Sequence, residues 1–373
     1  MMKENSGNQE IRKLDFSLIS KVTENCNLNC GYCYLAEKKN LKMSEEVAES
    51  LIKSFLKFNN DFAHFTWIGG EPLLMPDSFF TKIMELEEKY NYKNIPISNS
   101  IQTNGIALTP ARFDRLKDLG YKIGISYDGA PDLQNQRMTE SQTNKLLEMI
   151  EYAKGKAGLL AVLTKNTIGR EKEIYDFFRE YTTWAKVNFY SPTGHGAEKE
   201  DELMLNPDEA SKMMVNLYDL WKNDSSPLEL RPMLENVRSF FTGFPVACDF
   251  SAVSCYKILG SDTKGDIYPC SKAMNFPYLK MGNINEGLDN LVGNKIHKMP
   301  LERYIGLKKK GGNPWLHLSS GGCPIEALSH KGDYMKATTY SEGVRNTLFE
   351  RIKEDMQNEN TRKHLERKVG LIR

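Results

Sequence analysis

The sequence predicts an α/β protein: a partial (β/α)6 barrel of TIM type followed by a C-terminal cysteine-bearing module. Through the first half of the chain, short β-branched and apolar runs alternate with longer stretches of helical spacing, the pattern of successive βα units around a parallel sheet. Beyond about Gly194 the alternation stops. The cysteines fall in two sets, Cys26, Cys30 and Cys33, then Cys248, Cys255, Cys270 and Cys323.

Taken in order, strands are expected near Phe16 to Val22, Phe62 to Ile68, Pro96 to Gln102, Lys122 to Tyr127, Leu159 to Leu163 and Lys186 to Tyr190. The first intervening helix opens on Ser44, Glu45 and Glu46 and carries the apolar stripe Val47, Leu51, Ile52, Phe55, Leu56, a polar start followed by one buried face. Further stripes run from Phe79 to Tyr90, Arg112 to Leu119, Asn144 to Ala153 and Glu173 to Tyr181. A doubly wound open sheet is the alternative, and both architectures place function at the carboxyl ends of the strands. Two helical stretches follow, Pro207 to Lys222 and Leu230 to Phe241, then a Gly-, Pro- and Cys-containing region and a polar helix from Ser341 to about Lys368 that reads as a solvated face. The segments expected are an extension over 1–15, the barrel over 16–205, a helical linker over 206–245, the cysteine module over 246–335 and a C-terminal helix over 336–373.

Composition narrows the function. With 373 residues, 40% hydrophobic and 27% charged, the chain has the balance of an ordinary globular protein. Fifty Lys and Arg against 49 Asp and Glu leave a net charge of +1, so neither nucleic acid nor an anionic membrane is an expected partner. No apolar run reaches the roughly 20 residues that cross a bilayer, and the N-terminus lacks a secretory signal's apolar core. A cytoplasmic location is expected. Seven cysteines, an odd number, suit metal ligation there better than disulfides.

Cys26, Cys30 and Cys33 stand in Cys26-Asn27-Leu28-Asn29-Cys30-Gly31-Tyr32-Cys33, directly after the first expected strand. Three converging thiolates suit a soft metal centre. A structural zinc site would need a fourth ligand, and no further Cys or His occurs before His64. Three ligands instead leave one iron of a cubane without a protein ligand, as a reacting cofactor requires.

This Cys-x3-Cys-x2-Cys loop, with Tyr32 before its last cysteine, resembles the signature of the radical S-adenosylmethionine (radical SAM) superfamily. The resemblance implies a [4Fe-4S] cluster on Cys26, Cys30 and Cys33 whose open iron chelates S-adenosylmethionine, with reductive cleavage to a 5'-deoxyadenosyl radical. Three later strand ends extend it. Trp67-Ile68-Gly69-Gly70-Glu71-Pro72-Leu73 is similar to the family's Gly-Gly-Glu-Pro motif, in which Gly69 and Gly70 permit close backbone approach and Glu71 receives the methionine ammonium. Ser100-Ile101-Gln102-Thr103-Asn104-Gly105 resembles the Gln-Thr-Asn-Gly element of the peptide- and sulfatase-modifying branch, making Gln102 and Asn104 candidate cofactor contacts. Gly124-Ile125-Ser126-Tyr127-Asp128-Gly129 is similar to the family's Ser-x-Asp-Gly. There Ser126 is expected near the ribose or carboxylate and Arg137 at the methionine carboxylate, while Asn104 and Asp128 also suit turn and helix caps.

Among the later cysteines, Cys255 to Cys270 reads Cys-x9-Gly-x4-Cys, with Lys264-Gly265-Asp266 as a hairpin tip. It resembles the opening of the SPASM domain. With only Cys323 beyond it, in Gly321-Gly322-Cys323-Pro324, the module looks like the shortened form called Twitch. That implies one auxiliary [4Fe-4S] cluster on Cys248, Cys255, Cys270 and Cys323, with Cys248 placed by position alone. A zinc site on four cysteines is the competing reading.

Relatives with auxiliary clusters act on peptides, on sulfatase serine or cysteine residues, or on small molecules. Anaerobic sulfatase-maturating enzymes carry a catalytic aspartate where this chain has Ser271, and a second auxiliary cluster, so sulfatase maturation is disfavoured. The favoured function is maturation of a ribosomally synthesised peptide by carbon-carbon or thioether crosslinking, with a precursor peptide as substrate and a flavodoxin or ferredoxin as reductant. About fifteen residues precede the first strand, too few for a leader-binding domain. The alternatives are radical dehydrogenation or rearrangement of a small molecule, in a closed pocket rather than beside a strand-accepting edge, and a non-enzymatic zinc-binding scaffold. His195, at the sixth strand's end, is a candidate to face substrate. The catalytic acid or base is not assigned, with Tyr34, Asp249 and Ser271 among the candidates.

Overall fold

The computed structural model describes residues 14–35, 38–248 and 251–372. The extension before residue 14 and Asp249 lie outside them. The chain divides into two compact units.

The first unit takes residues through Asn29, Leu35–Ile125 and Tyr256–Met299. Its parallel strands β1 (Ser17–Thr23), β2 (Ala63–Gly69), β3 (Ile97–Thr103) and β4 (Lys122–Ser126) lie side by side in chain order. They are connected by helices α1 (Glu45–Phe58), α2 (Asp77–Tyr90) and α3 (Pro110–Asp118). Each helix starts where the sequence provides a stop for the preceding loop. The Ser44 side chain accepts from the Val47 N–H, and Thr109 accepts from Arg112 N ahead of Pro110, satisfying amides that the first helical turn leaves without partners. Leu18, Val22, Phe65, Trp67 and Ile101 of the strands are buried, as are Leu51, Ile52 and Phe55 of α1.

One pairing was not visible in the sequence. Strand β8 (Ile258–Ser261) lies parallel to β1, Ser17 opposite Ile258 through Ser20 opposite Ser261. The Ser20 and Ser261 hydroxyls hydrogen-bond at 2.7 Å. From β8 the chain turns at Gly265, at φ 81°, into antiparallel β9 (Asp266–Tyr268), which pairs with β10 (Gly282–Asn283). The expected hairpin tip is therefore present, but residues 256–299 join the first unit rather than a separate module over 246–335.

The second unit comprises Cys30–Tyr34, Ser126–Cys255 and Pro300–Arg373. It contains α4 (Glu140–Tyr152), β5 (Gly158–Leu163), α5 (Glu171–Tyr181), β6 (Trp184–Phe189), α6 (Pro207–Asn223), β7 (Glu229–Arg231) and α7 (Met233–Thr242). Strands β5, β6 and β7 are parallel neighbours. Leu230, expected to begin a helix, is a strand residue opposite Ala185; three residues are too short to show a period. The long α8 (Lys295–Lys310) is followed by α9 (Pro324–Lys331). The final helix is two, α10 (Thr339–Asp355) and α11 (Glu359–Lys368), restarted by Asn358, whose side chain accepts from Thr361 N. It is not merely a solvated face. Val344, Leu348, Phe349, Ile352 and Leu365 are buried, and Asp355 takes hydrogen bonds from Tyr218 (2.8 Å) and Lys222 (2.9 Å) of α6.

Candidate active site

In the first unit, the loops after β1, β2 and β3 are locked together at the carboxyl ends of the strands. The amide of Gly70 donates to Thr23 O (2.9 Å) and that of Glu71 to Asn25 O (2.8 Å). A Cβ at Gly69 would lie 2.5 Å from Thr23 O and one at Gly70 2.3 Å from Asn25 O. Both glycines are thus required by backbone packing against the loop that begins the cysteine motif. Glu71 is 1% exposed. Its Oε1 accepts from Thr103 Oγ1 (2.6 Å) and Leu73 N (2.9 Å), and its Oε2 from Asn104 N (2.7 Å). Burial raises its pKa, and these donors work in the opposite direction. Glu71 therefore ties β2 to β3 from within the protein.

Asn104 extends the same network. Its Nδ2 donates to Asn27 Oδ1 at 2.8 Å and lies 3.9 Å from Cys26 Sγ, while its Oδ1 accepts from Ile106 N at 3.0 Å. The Cys26 amide is held by Asn25 Oδ1 at 2.9 Å, and Cys26 Sγ accepts from Leu28 N at 3.4 Å, a sulfur interaction of the kind that tunes cluster ligands. Gln102 is half-buried and stands opposite Gly124. A Cβ on Gly124 would lie 2.4 Å from Gln102 Oε1, so this glycine makes room for the glutamine side chain.

In the second unit, Cys30 and Cys33 are joined by a turn, Cys33 N to Cys30 O at 3.2 Å. The turn is clasped by backbone: Gly31 N donates to Gln136 O, and Gly196 N to Cys33 O, each at 2.8 Å. A Cβ at Gly196 would approach the Tyr32 carbonyl carbon to 3.0 Å. The Tyr32 hydroxyl donates to Asp128 Oδ2, and Val162 N donates to Asp128 Oδ1 at 2.9 Å. Arg137 is 6% exposed, and its Nε and Nη1 have no hydrogen-bond partner among the described residues. Burial disfavours its charge, but Tyr32, Asp128 and Cys30 more than offset this and raise its pKa. Burial also raises the pKa of both Asp128 and Tyr32. Ser126 is half-buried at the end of β4.

The partnership of Asp128 with Tyr32 was not visible in the sequence, because a Tyr-Asp-Gly turn gives no sign of a partner 96 positions away. Asn27, Gln136 and Gly196 were not singled out either. His195 is partly exposed, 3.8 Å from Glu198, in the turn that clasps Cys33.

The later cysteines are divided. In the first unit, Cys270 follows β9, and the absence of a Cβ at Gly260 lets the Cys270 carbonyl carbon sit where that Cβ would be only 2.5 Å away. Burial pushes the Cys270 thiol up, while the amides of Ala273 and Lys272 favour the thiolate. Ser271 caps the turn Lys272–Asn275. In the second unit, Cys255 lies in the short helix Ala252–Tyr256, and buried Cys323 is the N-cap residue of α9. Ser320 Oγ accepts from Ala252 N at 3.1 Å, joining the loop before Cys323 to the helix that carries Cys255. Cys248 is exposed. None of the seven forms a disulfide, and among the described residues no three His, Cys, Asp or Glu side chains gather closely enough for a single metal ion.

Residues 20–181 match the family model of the radical SAM superfamily. These residues are a radical SAM domain. The chain is 29% identical over 331 residues to a cysteine-type anaerobic sulfatase-maturating enzyme of Clostridium perfringens, covering 82% of this chain and 88% of that one. It is 26% identical over 353 residues to the serine-type enzyme of Bacteroides thetaiotaomicron, covering 85% and 84%. The solved structure of native anSMEcpe with bound AdoMet and Kp18Cys peptide aligns with a TM-score of 0.79 at 25% identity, covering 92% of this chain and all of that one. The α/β fold with its parallel sheet is that of the solved radical SAM partial barrels, and residues 20–181 carry the radical SAM domain. The relatives' names run against the expectation drawn from Ser271 that sulfatase maturation is remote. Among the described residues no helix is long and apolar enough to cross a membrane.

Proposed function

We propose that this radical SAM enzyme oxidises a side-chain carbon of a peptide substrate, with Cys26, Cys30 and Cys33 holding the catalytic [4Fe-4S] cluster and Cys255, Cys270, Cys323 and Cys248 an auxiliary one. When bound, the cluster and S-adenosylmethionine supply a 5'-deoxyadenosyl radical able to take hydrogen from carbon. The residues fit that cofactor. Arg137 carries the reading, because a buried guanidinium with two nitrogens, Nε and Nη1, lacking partners among the described residues suits an anionic group such as the methionine carboxylate. Asp128 and Tyr32 favour its charge, and Gln102 and Ser126 are further candidate contacts. Glu71, Gly69, Gly70 and Asn104 shape the loop that presents Cys26. Cys270 has two amides directed at its sulfur, and Cys323 stands at a helix N-terminus, where a thiolate is stabilised.

The substrate class follows from the relatives. The cysteine- and serine-type names favour oxidation of a cysteine or serine side chain to an aldehyde. A second reading, carbon-carbon or thioether crosslinking of a ribosomally made peptide, is favoured by Ser271, since the resemblance to sulfatase-maturating enzymes implies an aspartate at that position. A low-potential flavodoxin or ferredoxin is the expected reductant. The test is anaerobic turnover of the reconstituted enzyme with peptides containing cysteine or serine, read by mass spectrometry and hydrazine trapping. Trapped aldehyde supports the first reading; loss of two hydrogens with a blocked thiol and no aldehyde supports the second. Arg137→Met should bind S-adenosylmethionine at least about tenfold more weakly, about 1.4 kcal/mol; unchanged affinity would remove the argument from Arg137.

A further inference from the structure

Arg303, in α8, is 2% exposed and is surrounded by backbone carbonyls. Its Nη1 donates to Ser320 O (3.0 Å) and Gly322 O (2.9 Å), its Nη2 to Gly321 O (2.6 Å) and Lys336 O (2.8 Å), and its Nε to Lys336 O (3.0 Å). These five bonds match the five donors of a guanidinium. The loop they hold is unusual: Ser320, Gly321 and Gly322 are successive left-handed residues, at φ 46°, 76° and 81°. Such a run cannot pair its carbonyls in a helix or sheet, and Ser320 bears a Cβ penalty there. Cys323 follows at once, with Pro324 as the first residue of α9. The same loop receives Ala252 N on Ser320 Oγ at 3.1 Å, ahead of Cys255.

We infer that Arg303 is a positioning residue for the auxiliary cluster: its fork sets the Ser320–Gly322 loop, and so the direction in which Cys323 presents its thiolate. The inference rests on the reading of Cys323 as a cluster ligand. It does not need Arg303 to touch the cluster. Lysine cannot substitute, since an ammonium has three donors on a single atom and no planar fork. The packing is tight on the other side as well, because a Cβ at Gly321 would lie 2.4 Å from Leu307 Cδ1.

The test uses the full chain carrying Cys26→Ala, Cys30→Ala and Cys33→Ala, which leaves only the auxiliary site. Anaerobic reconstitution should give about four irons per chain; no iron in this parent would overturn the auxiliary-cluster reading itself, and the inference with it. In a parent that holds iron, adding Arg303→Lys should cut the iron at least about twofold or convert the reduced-cluster resonance to the [3Fe-4S] signal of a cluster that has lost one ligand. About four irons with an unchanged paramagnetic spectrum would overturn the role of Arg303. Gly321→Ala displaces the same loop while keeping Arg303 and carries the test should the lysine variant not fold. Its expected result is the same loss, and an unchanged spectrum overturns the inference equally.

Discussion

Replacing Glu87 by glutamine should stabilise the protein in mild alkali and have little effect in mild acid. Glu87 lies in α2, 3% exposed, with Oε2 accepting from Asn99 Nδ2 at 2.8 Å and Oε1 without a hydrogen-bond partner among the described residues. Asn99 is fixed in turn by Trp67 Nε1, which donates to its Oδ1 at 2.8 Å. Burial pushes the Glu87 carboxyl from 4.5 to about 7, and the Asn99 bond opposes this. The folded protein therefore holds this proton more tightly than the unfolded chain. Its stabilising contribution is complete below about pH 4.5, is lost as pH rises through about 7, and is level beyond. At about 1.4 kcal/mol for each tenfold change, the loss is on the order of 3 kcal/mol. An amide has no such loss and still accepts from Asn99. The assay is urea unfolding of wild type and Glu87→Gln in parallel from about pH 5.5 to 8.5, a range chosen to bracket the titration. The gap in favour of glutamine should open with pH and flatten near pH 8. A gap independent of pH, or a glutamine variant less stable at pH 8.5, would refute the reasoning.

Asp128→Asn removes the buried carboxylate that takes hydrogen bonds from the Tyr32 hydroxyl and Val162 N and should cost about 1–3 kcal/mol in urea unfolding; a loss under about 0.5 kcal/mol would show that these bonds do not support the turn. Gly70→Ala places a Cβ 2.3 Å from Asn25 O, and should lower the iron bound on reconstitution by displacing the loop before Cys26, as an iron assay against wild type would show. His297, buried beside Tyr256 with its pKa lowered to about 4 chiefly by desolvation, contributes stability that is present above its unfolded value of 6.5 and lost as pH falls toward 4. The melting advantage of wild type over His297→Asn should therefore shrink on acidification, and an advantage that grew would contradict the neutral ring. Asn206→Ala removes the acceptor of Asp208 N (3.0 Å) and Glu209 N (2.9 Å) at the start of α6, and should cost about 1 kcal/mol in thermal unfolding.

The positions of the candidate residues along the strands were legible as local pattern. Cys26, Cys30 and Cys33, Gly69-Gly70-Glu71, Gln102 and Ser126 each lie at or just beyond the end of a strand that periodicity located within a residue or two, because strand ends and their loops are continuous in the chain. The helix start at Ser44 was likewise readable, since a cap acts on amides two or three residues away, whereas the caps Thr109 and Asn206 were recognised only in the structure. Partnerships between distant positions were decided by the tertiary structure alone. The Tyr32 hydroxyl finds Asp128, Glu71 turns inward to Thr103 and Asn104, and Arg303 gathers the carbonyls before Cys323. So too with β8, whose four residues pair with β1 across more than two hundred positions, and with Cys270, which belongs to the first unit while Cys255 and Cys323 belong to the second. The physical reason is one of range: capping, turn geometry and helical periodicity are set by neighbours along the chain, whereas buried polar groups and short edge strands take whichever partners the packed core brings to them, and no local spacing records that choice.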